Sequence, residues 1–222
     1  MFNFDISEIL QNFIVLFTAI TVHEYSHGKV AHMLGDPTAK AMGRLTLNPL
    51  AHLDPLGALM MIFCRFGWAK PVPVNPYYFD EPKKGMVLVS VAGPAANIIL
   101  AFLFATLMPF AMLLLGFMPN VPYVVVSFII NLFVTGIIMN VYFAVFNLIP
   151  FPPLDGSKIL FSVLPNHAYN TLLTYERYGT IILLALSFSG ILGRILSIVA
   201  MPVINLMLSW NGVVAGLINL FF

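Results

Sequence analysis

The chain has 222 residues, 60% of them hydrophobic and 9% charged, with a formal net charge of +1 and a mean hydropathy of +0.95. That is the composition of an integral membrane protein, and it leaves no room for a separate soluble domain of ordinary size. A near-neutral chain without a basic run also excludes nucleic acid as an expected partner.

The first predicted span runs from about Ile9 to Leu34 and stops at Gly35-Asp36-Pro37. Asp5 and Glu8 precede it where a signal peptide would carry positive charge, so the segment is expected to stay in the membrane. A polar loop rich in Gly, Asn and Pro covers Asp36 to Asp54. Leu56 to Phe66 is apolar but too short to cross a bilayer as a helix. The lone cysteine, Cys64, falls in that run and reads as a packing residue. In Gly67 to Pro76, Val72 and Val74 alternate with prolines, a pattern for an edge strand or extended hairpin. Leu56 to Pro76 is therefore expected to be re-entrant or interfacial, because irregular backbone at membrane depth needs protein or a wet cavity around it.

Two more spans are predicted from about Gly85 to Gly116 and Tyr123 to Leu148, joined by the uncharged turn Phe117 to Pro122. Pro150, Pro152 and Pro153 force an unwound backbone between Asn147 and Gly156, with a short helix after Gly156. Apolar stretches at about Tyr178 to Ile198 and Ala200 to Phe222 complete the chain; the last reads equally as one span or a bent pair. The expected fold is an all-α polytopic membrane protein with about five to six transmembrane helices and a hairpin after the first. It forms one membrane-embedded domain over residues 1–222, with a core at about 9–164 and C-terminal spans at about 178–222.

Lys29, Lys40, Arg44, Arg65, Lys70, Lys83 and Lys84 fall between the middle of the first span and the start of the second. Lys158 and Arg177 follow the third span and so share that side. Nine of the ten basic residues thus lie on one face, which predicts that face to be cytoplasmic, with the expected setting a prokaryotic plasma membrane.

Inside the first span stands His23-Glu24-Tyr25-Ser26-His27, an H-E-x-x-H motif. Histidines four residues apart share one helical face and can reach one metal ion, while Glu24 can hold a water beside it. Ionisable groups are costly at that depth, so a pair of merely packed histidines is the weaker reading. A zinc site needs a third ligand, and Asp155, Asp54, His52 and His32 are the candidates. Asp155 sits at a forced helix break, where an unwound chain can line a cavity. Its alternative is a turn or N-cap residue. His52 and Asp54 read more simply as turn contacts, His32 as solvated at the interface, and His167 as a loop histidine.

The pairing of this motif with the Asn147–Gly156 break resembles the site-2 protease family of intramembrane metalloproteases. Gly43 to Pro49, Gly67 to Pro76 and Gly93-Pro94-Ala95-Ala96-Asn97 resemble its compact branch, which has neither a PDZ nor a CBS domain. The resemblance covers about Ile9 to Leu164. It implies that His23, His27 and Asp155 hold one Zn2+ per chain, that Glu24 is the catalytic base, and that Asn147 acts near the substrate carbonyl. Asn97 is expected to line the same cavity in support, although the small residues around it also suit close helix packing.

The expected activity is hydrolysis of peptide bonds within or near transmembrane segments of membrane proteins, with the bilayer as the other partner. Val72 and Val74 are expected to hold an unwound substrate by strand addition. Two other classes fit the same residues less well. A catalytically silent zinc-binding relative would not need Glu24, and a metal-ion transporter would repeat its ligands across several spans.

Overall fold

The computed structural model describes residues 5–54, 57, 69–164 and 178–221. The expected hairpin run Leu56 to Phe66, with Gly67-Trp68, Cys64 and Arg65, lies outside the described residues apart from Gly57, as do His167 and Arg177. The described architecture is helical: α1 (Ile6–Met33), α2 (Thr38–Ala41), α3 (Pro82–Gly116), α4 (Tyr123–Asn147), α5 (Asp155–Val163), α6 (Tyr178–Phe188) and α7 (Ile191–Phe221). Leu53 and Ala69 form an isolated antiparallel bridge, the sole strand-like pairing among the described residues.

Helices α1, α3, α4 and α7 are each long and apolar enough to cross a membrane. The all-α polytopic class is thus the observed one, with four such helices among the described residues. The C-terminal segments divide differently from the expectation. The helix ends at Ser189-Gly190, so Ile191 to Ile198 begin α7 instead of finishing the preceding span. Gly190 takes φ +74°, a left-handed conformation that glycine adopts at little cost, and its N–H donates to the Ser187 carbonyl. The Ser189 hydroxyl then accepts from the N–H of Ile191 at the start of α7. Pro202 lies inside α7 without ending it.

The chain forms two compact units. Unit one comprises residues 1–19, 97–145 and 194–222. Its cores are small and apolar: Ala101, Val141, Ala200 and Ile204 in one cluster, and Ala105, Ile137 and Met207 in another. Its buried amides are engaged. Asn97 donates to the Ala19 carbonyl (3.1 Å) and to Asn140 Oδ1 (2.9 Å), Asn140 donates to the Gly136 carbonyl, and Gln11 donates to the Phe128 carbonyl. Trp210 stacks on Phe102 and donates its indole N–H to the Thr106 hydroxyl.

Unit two comprises residues 20–96 and 146–193. Ala31, Phe79 and Val89 form its core, with Val30, Leu34, Val74 and Met86 packed around them. The extended segment 70–75 is pinned by charged side chains along its length. The Arg44 guanidinium donates to the Lys70 carbonyl (2.7 Å), and Asp36 Oδ2 accepts the N–H of Asn75 (2.7 Å). Asp36 Oδ1 accepts both the N–H and the hydroxyl of Thr38. Burial raises the pKa of the Asp36 carboxyl, but these hydrogen bonds and nearby His32 outweigh it and hold the group below the ordinary carboxylate range.

Candidate metal centre and active site

Helix α1 places His23 and His27 one turn apart, with their rings perpendicular (89°) and 4.5 Å between centroids. Their Nε2 atoms lie 3.0 Å from each other. Asp155 Oδ2 completes the triangle, 3.1 Å from His23 Nε2 and 3.0 Å from His27 Nε2. All three residues are buried. His27 Nδ1 donates to the Val89 carbonyl (2.6 Å), which leaves the Nε2 lone pair directed at the other two atoms.

Three lone-pair-bearing atoms at these separations fit one cation. A tetrahedral ion with bonds of about 2.0–2.1 Å holds neighbouring ligand atoms about 3.3 Å apart, a few tenths of an ångström wider than observed. Two imidazoles and a carboxylate also form the donor set that zinc takes when one position stays open. Gly93 supplies the space. A Cβ there would lie 2.5 Å from His27 Nε2 and 2.6 Å from His23 Cε1.

The backbone break after α4 delivers Asp155. Tight turns link Ile149 to Phe146 and Leu154 to Phe151, and the Pro152-Pro153 peptide is cis. Any Cβ at Gly156 would strike the carbonyls of Leu148 and Ile149, so glycine is what lets α5 start this close to the break. Leu154, not Asp155, is the N-cap residue, and Asp155 opens the helix proper. Its Oδ1 accepts from the Lys158 ammonium at 3.2 Å, leaving Oδ2 to face the histidines. Burial raises the Asp155 pKa, but His23, His27 and Lys158 more than offset it and hold the carboxyl far below its usual range.

Glu24 lies beside this triangle, and its Oε2 accepts the N–H of Val72 at 2.7 Å. A cavity of about 320 Å³ joins these parts; His23, Glu24, His27 and Asp155 line it together with Pro71, Val72, Val74, Asn147 and Lys158. The sequence-expected residues His23, Glu24, His27, Asp155, Asn147, Val72 and Val74 are thus brought together. Asn97 is not among the lining residues, and its amide serves Ala19 and Asn140 in unit one. Of the other ligand candidates, His52 Nε2 contacts the Thr46 carbonyl and Asp54 accepts from Gly57 N–H. Neither joins the metal cluster formed by the described residues.

Sequence reasoning missed Gly93, Lys158 and the Val89 carbonyl. The small residues from Gly93 to Ala96 carried a signal for close packing, but what packs against Gly93 is a pair of imidazoles. Lys158 stands three residues after Asp155 on one helical face, a spacing that gains meaning once Asp155 is a ligand. A backbone carbonyl has no signature in sequence.

The model of peptidase family M50 matches residues 118–190, a stretch that includes Asn147 and Asp155. The putative zinc metalloprotease YwhC of Bacillus subtilis is 40% identical over 173 residues, covering 78% of this chain and 78% of its own. The chain belongs to peptidase family M50. Further relatives are likewise named putative zinc metalloproteases. Rip2 of Mycolicibacterium smegmatis is 29% identical over 189 residues, covering 79% of this chain and 66% of its own. MJ0611 of Methanocaldococcus jannaschii is 29% identical over 160 residues, with 71% and 73% covered. No solved structure matches. The resemblance drawn from the motifs holds at the level of the family, and with it the metalloprotease class.

Proposed function

We propose that this M50 peptidase is an intramembrane protease that hydrolyses peptide bonds within or near the transmembrane segments of other membrane proteins. The observation that carries the reading is the meeting of His23, His27 and Asp155 beside Glu24, with the motif inside a helix long and apolar enough to cross a bilayer. The three side chains would hold one zinc ion. When bound, zinc supplies Lewis acidity that brings the pKa of water toward neutrality.

The remaining work belongs to the chain. Glu24 takes a proton from the attacking water and passes it to the leaving nitrogen, so that water adds across the C–N bond. The Val72 N–H keeps the Glu24 carboxylate aimed while it does so. The Asn147 amide donates toward the substrate carbonyl oxygen, where negative charge develops. Pro71, Val72 and Val74 form a wall along which an unwound substrate lies extended. Strand addition cannot use the Val72 N–H, which is already given to Glu24. A Val72→Pro change would therefore disturb the base itself, and Val74→Pro is the cleaner probe of substrate holding. The excess of basic residues, Lys40, Lys70, Lys83 and Lys84 among them, supports a cytoplasmic orientation of that face.

The test uses the purified chain in proteoliposomes with a mixture of single-span membrane proteins, reading new termini by mass spectrometry. Zinc-dependent cleavage near the spans, absent in Glu24→Gln, is the expected result. New termini confined to soluble loops would refute the intramembrane reading.

A further inference from the structure

The two carboxylate oxygens of Asp155 have different partners. Oδ2 lies 3.1 Å from His23 Nε2 and 3.0 Å from His27 Nε2, while Oδ1 accepts from the Lys158 ammonium at 3.2 Å. The lysine stands three residues after Asp155 in α5 and lines the catalytic cavity. Lys84 and Glu81 show what this spacing is worth elsewhere. They also pair at 3.2 Å, but with 68% and 70% of their side chains exposed, and such a pair contributes little. Asp155 keeps only 8% of its side chain exposed, so its ion pair is desolvated on the side that matters.

A carboxylate with both oxygens available can bind a cation through one or through the pair. The second oxygen would fill a position that a catalytic zinc site keeps open. An ammonium on Oδ1 opposes that in two ways. It engages the oxygen as a donor, and its positive charge repels a divalent ion drawn toward that side. It also draws negative charge away from Oδ2, which leaves a bound ion the stronger Lewis acid.

We propose that Lys158 is a positioning residue that keeps Asp155 a one-oxygen ligand, so that the metal centre retains an open position. The inference rests on His23, His27 and Asp155 being the zinc ligands, as proposed above.

The test compares wild-type, Lys158→Met and Lys158→Arg protein, each purified in detergent, stripped of metal and reloaded with Co2+ or Zn2+. Methionine keeps the aliphatic stem and suits a helix, so the fold is retained, and Lys158→Ala repeats the comparison without the stem. Cobalt absorbs strongly in the visible when four-coordinate and weakly when five-coordinate, so its spectrum reads the ligand mode without turnover.

Lys158→Met should lose the strong bands and bind zinc about 10-fold more tightly against a chelating dye, because Oδ1 joins and a positive charge is gone. Lys158→Arg, whose guanidinium still donates to a carboxylate, should keep the wild-type spectrum. An unchanged spectrum in Lys158→Met, or weaker zinc binding, overturns the inference and leaves Lys158 a helix-stabilising partner of Asp155. Loss of the bands in Lys158→Arg as well overturns it too, since packing and not charge would then set the ligand. Wild-type protein without the strong bands refutes the three-ligand site and this inference with it, before any variant is made. None of these readouts uses cleavage, so the protease reading stands or falls separately.

Discussion

Both units bury polar side chains in apolar helices, and they resolve the cost in opposite ways. In unit one the buried groups are neutral amides, and each is closed off by a short-range partner: Asn97 by Ala19 and Asn140, Asn140 by Gly136, Gln11 by Phe128. In unit two several are ionisable, and four of those converge: His23, His27, Glu24 and Asp155 share one cavity. A neutral amide that satisfies a carbonyl lowers the cost of burial and leaves nothing over. A cluster of imidazoles and carboxylates retains lone pairs and charge that something else must use. Convergence of ionisable groups is thus the guide to chemistry, since Asp36 and Arg44 are buried and ionisable too and pin segment 70–75.

The sharpest test of that contrast is Glu24→Gln. Losing the base should lower cleavage by about 10³-fold or more while about one zinc per chain remains, measured by turnover beside elemental analysis. Removing a ligand should separate metal from fold. Asp155→Ala is expected to lose zinc or bind it at least about 100-fold more weakly, with helicity by circular dichroism unchanged. Full zinc in that variant would move the third ligand elsewhere.

Gly93→Ala probes the space between the rings. The added Cβ must push His27 or His23 aside, and zinc affinity should fall about 10-fold by competition with a chelating dye. Asp36→Asn weakens the pinning of segment 70–75 and should cost about 2 kcal/mol at neutral pH. The Asp36 carboxyl titrates lower in the folded chain than in the unfolded one. Its contribution is therefore complete above the ordinary aspartate range and disappears as pH falls through the folded value. Melting curves for wild type and Asp36→Asn should converge in acid, and a gap that persists there would contradict the assignment. The smallest effect belongs to unit one: Asn140→Ala should cost about 1 kcal/mol and leave zinc binding intact.

The histidine pair, the base and the broken segment were legible because each is a local departure from an apolar background. H-E-x-x-H is complete within five residues, and three prolines announce the break. What escaped was long-range or featureless. Nothing local links Glu24 to Val72, 48 residues away. The join at Ser189-Gly190 was misplaced near Val199, since the run from Tyr178 to Phe222 is largely apolar, with Arg194 its one charged residue, and a serine–glycine pair is a weak stop signal. Asn97 was expected at the site because its neighbours there are in the recognised stretch, yet its amide completes a structural pair. His52 and Asp54, ligand candidates that read more simply as turn contacts, do make local contacts, with the Thr46 carbonyl and the Gly57 N–H.

The hydrogen bond from Val72 to Glu24 divides the labour between two oxygens that are chemically equivalent in a free carboxylate. An N–H can give a hydrogen bond and cannot receive one, so Oε2 is held as a permanent acceptor. Under the proposed role of Glu24 as base, the collected proton is better accommodated on Oε1, because Oε2 already accepts from the Val72 N–H. One oxygen then serves for holding and the other for carrying, and the amide would set the side from which water and the departing amine approach.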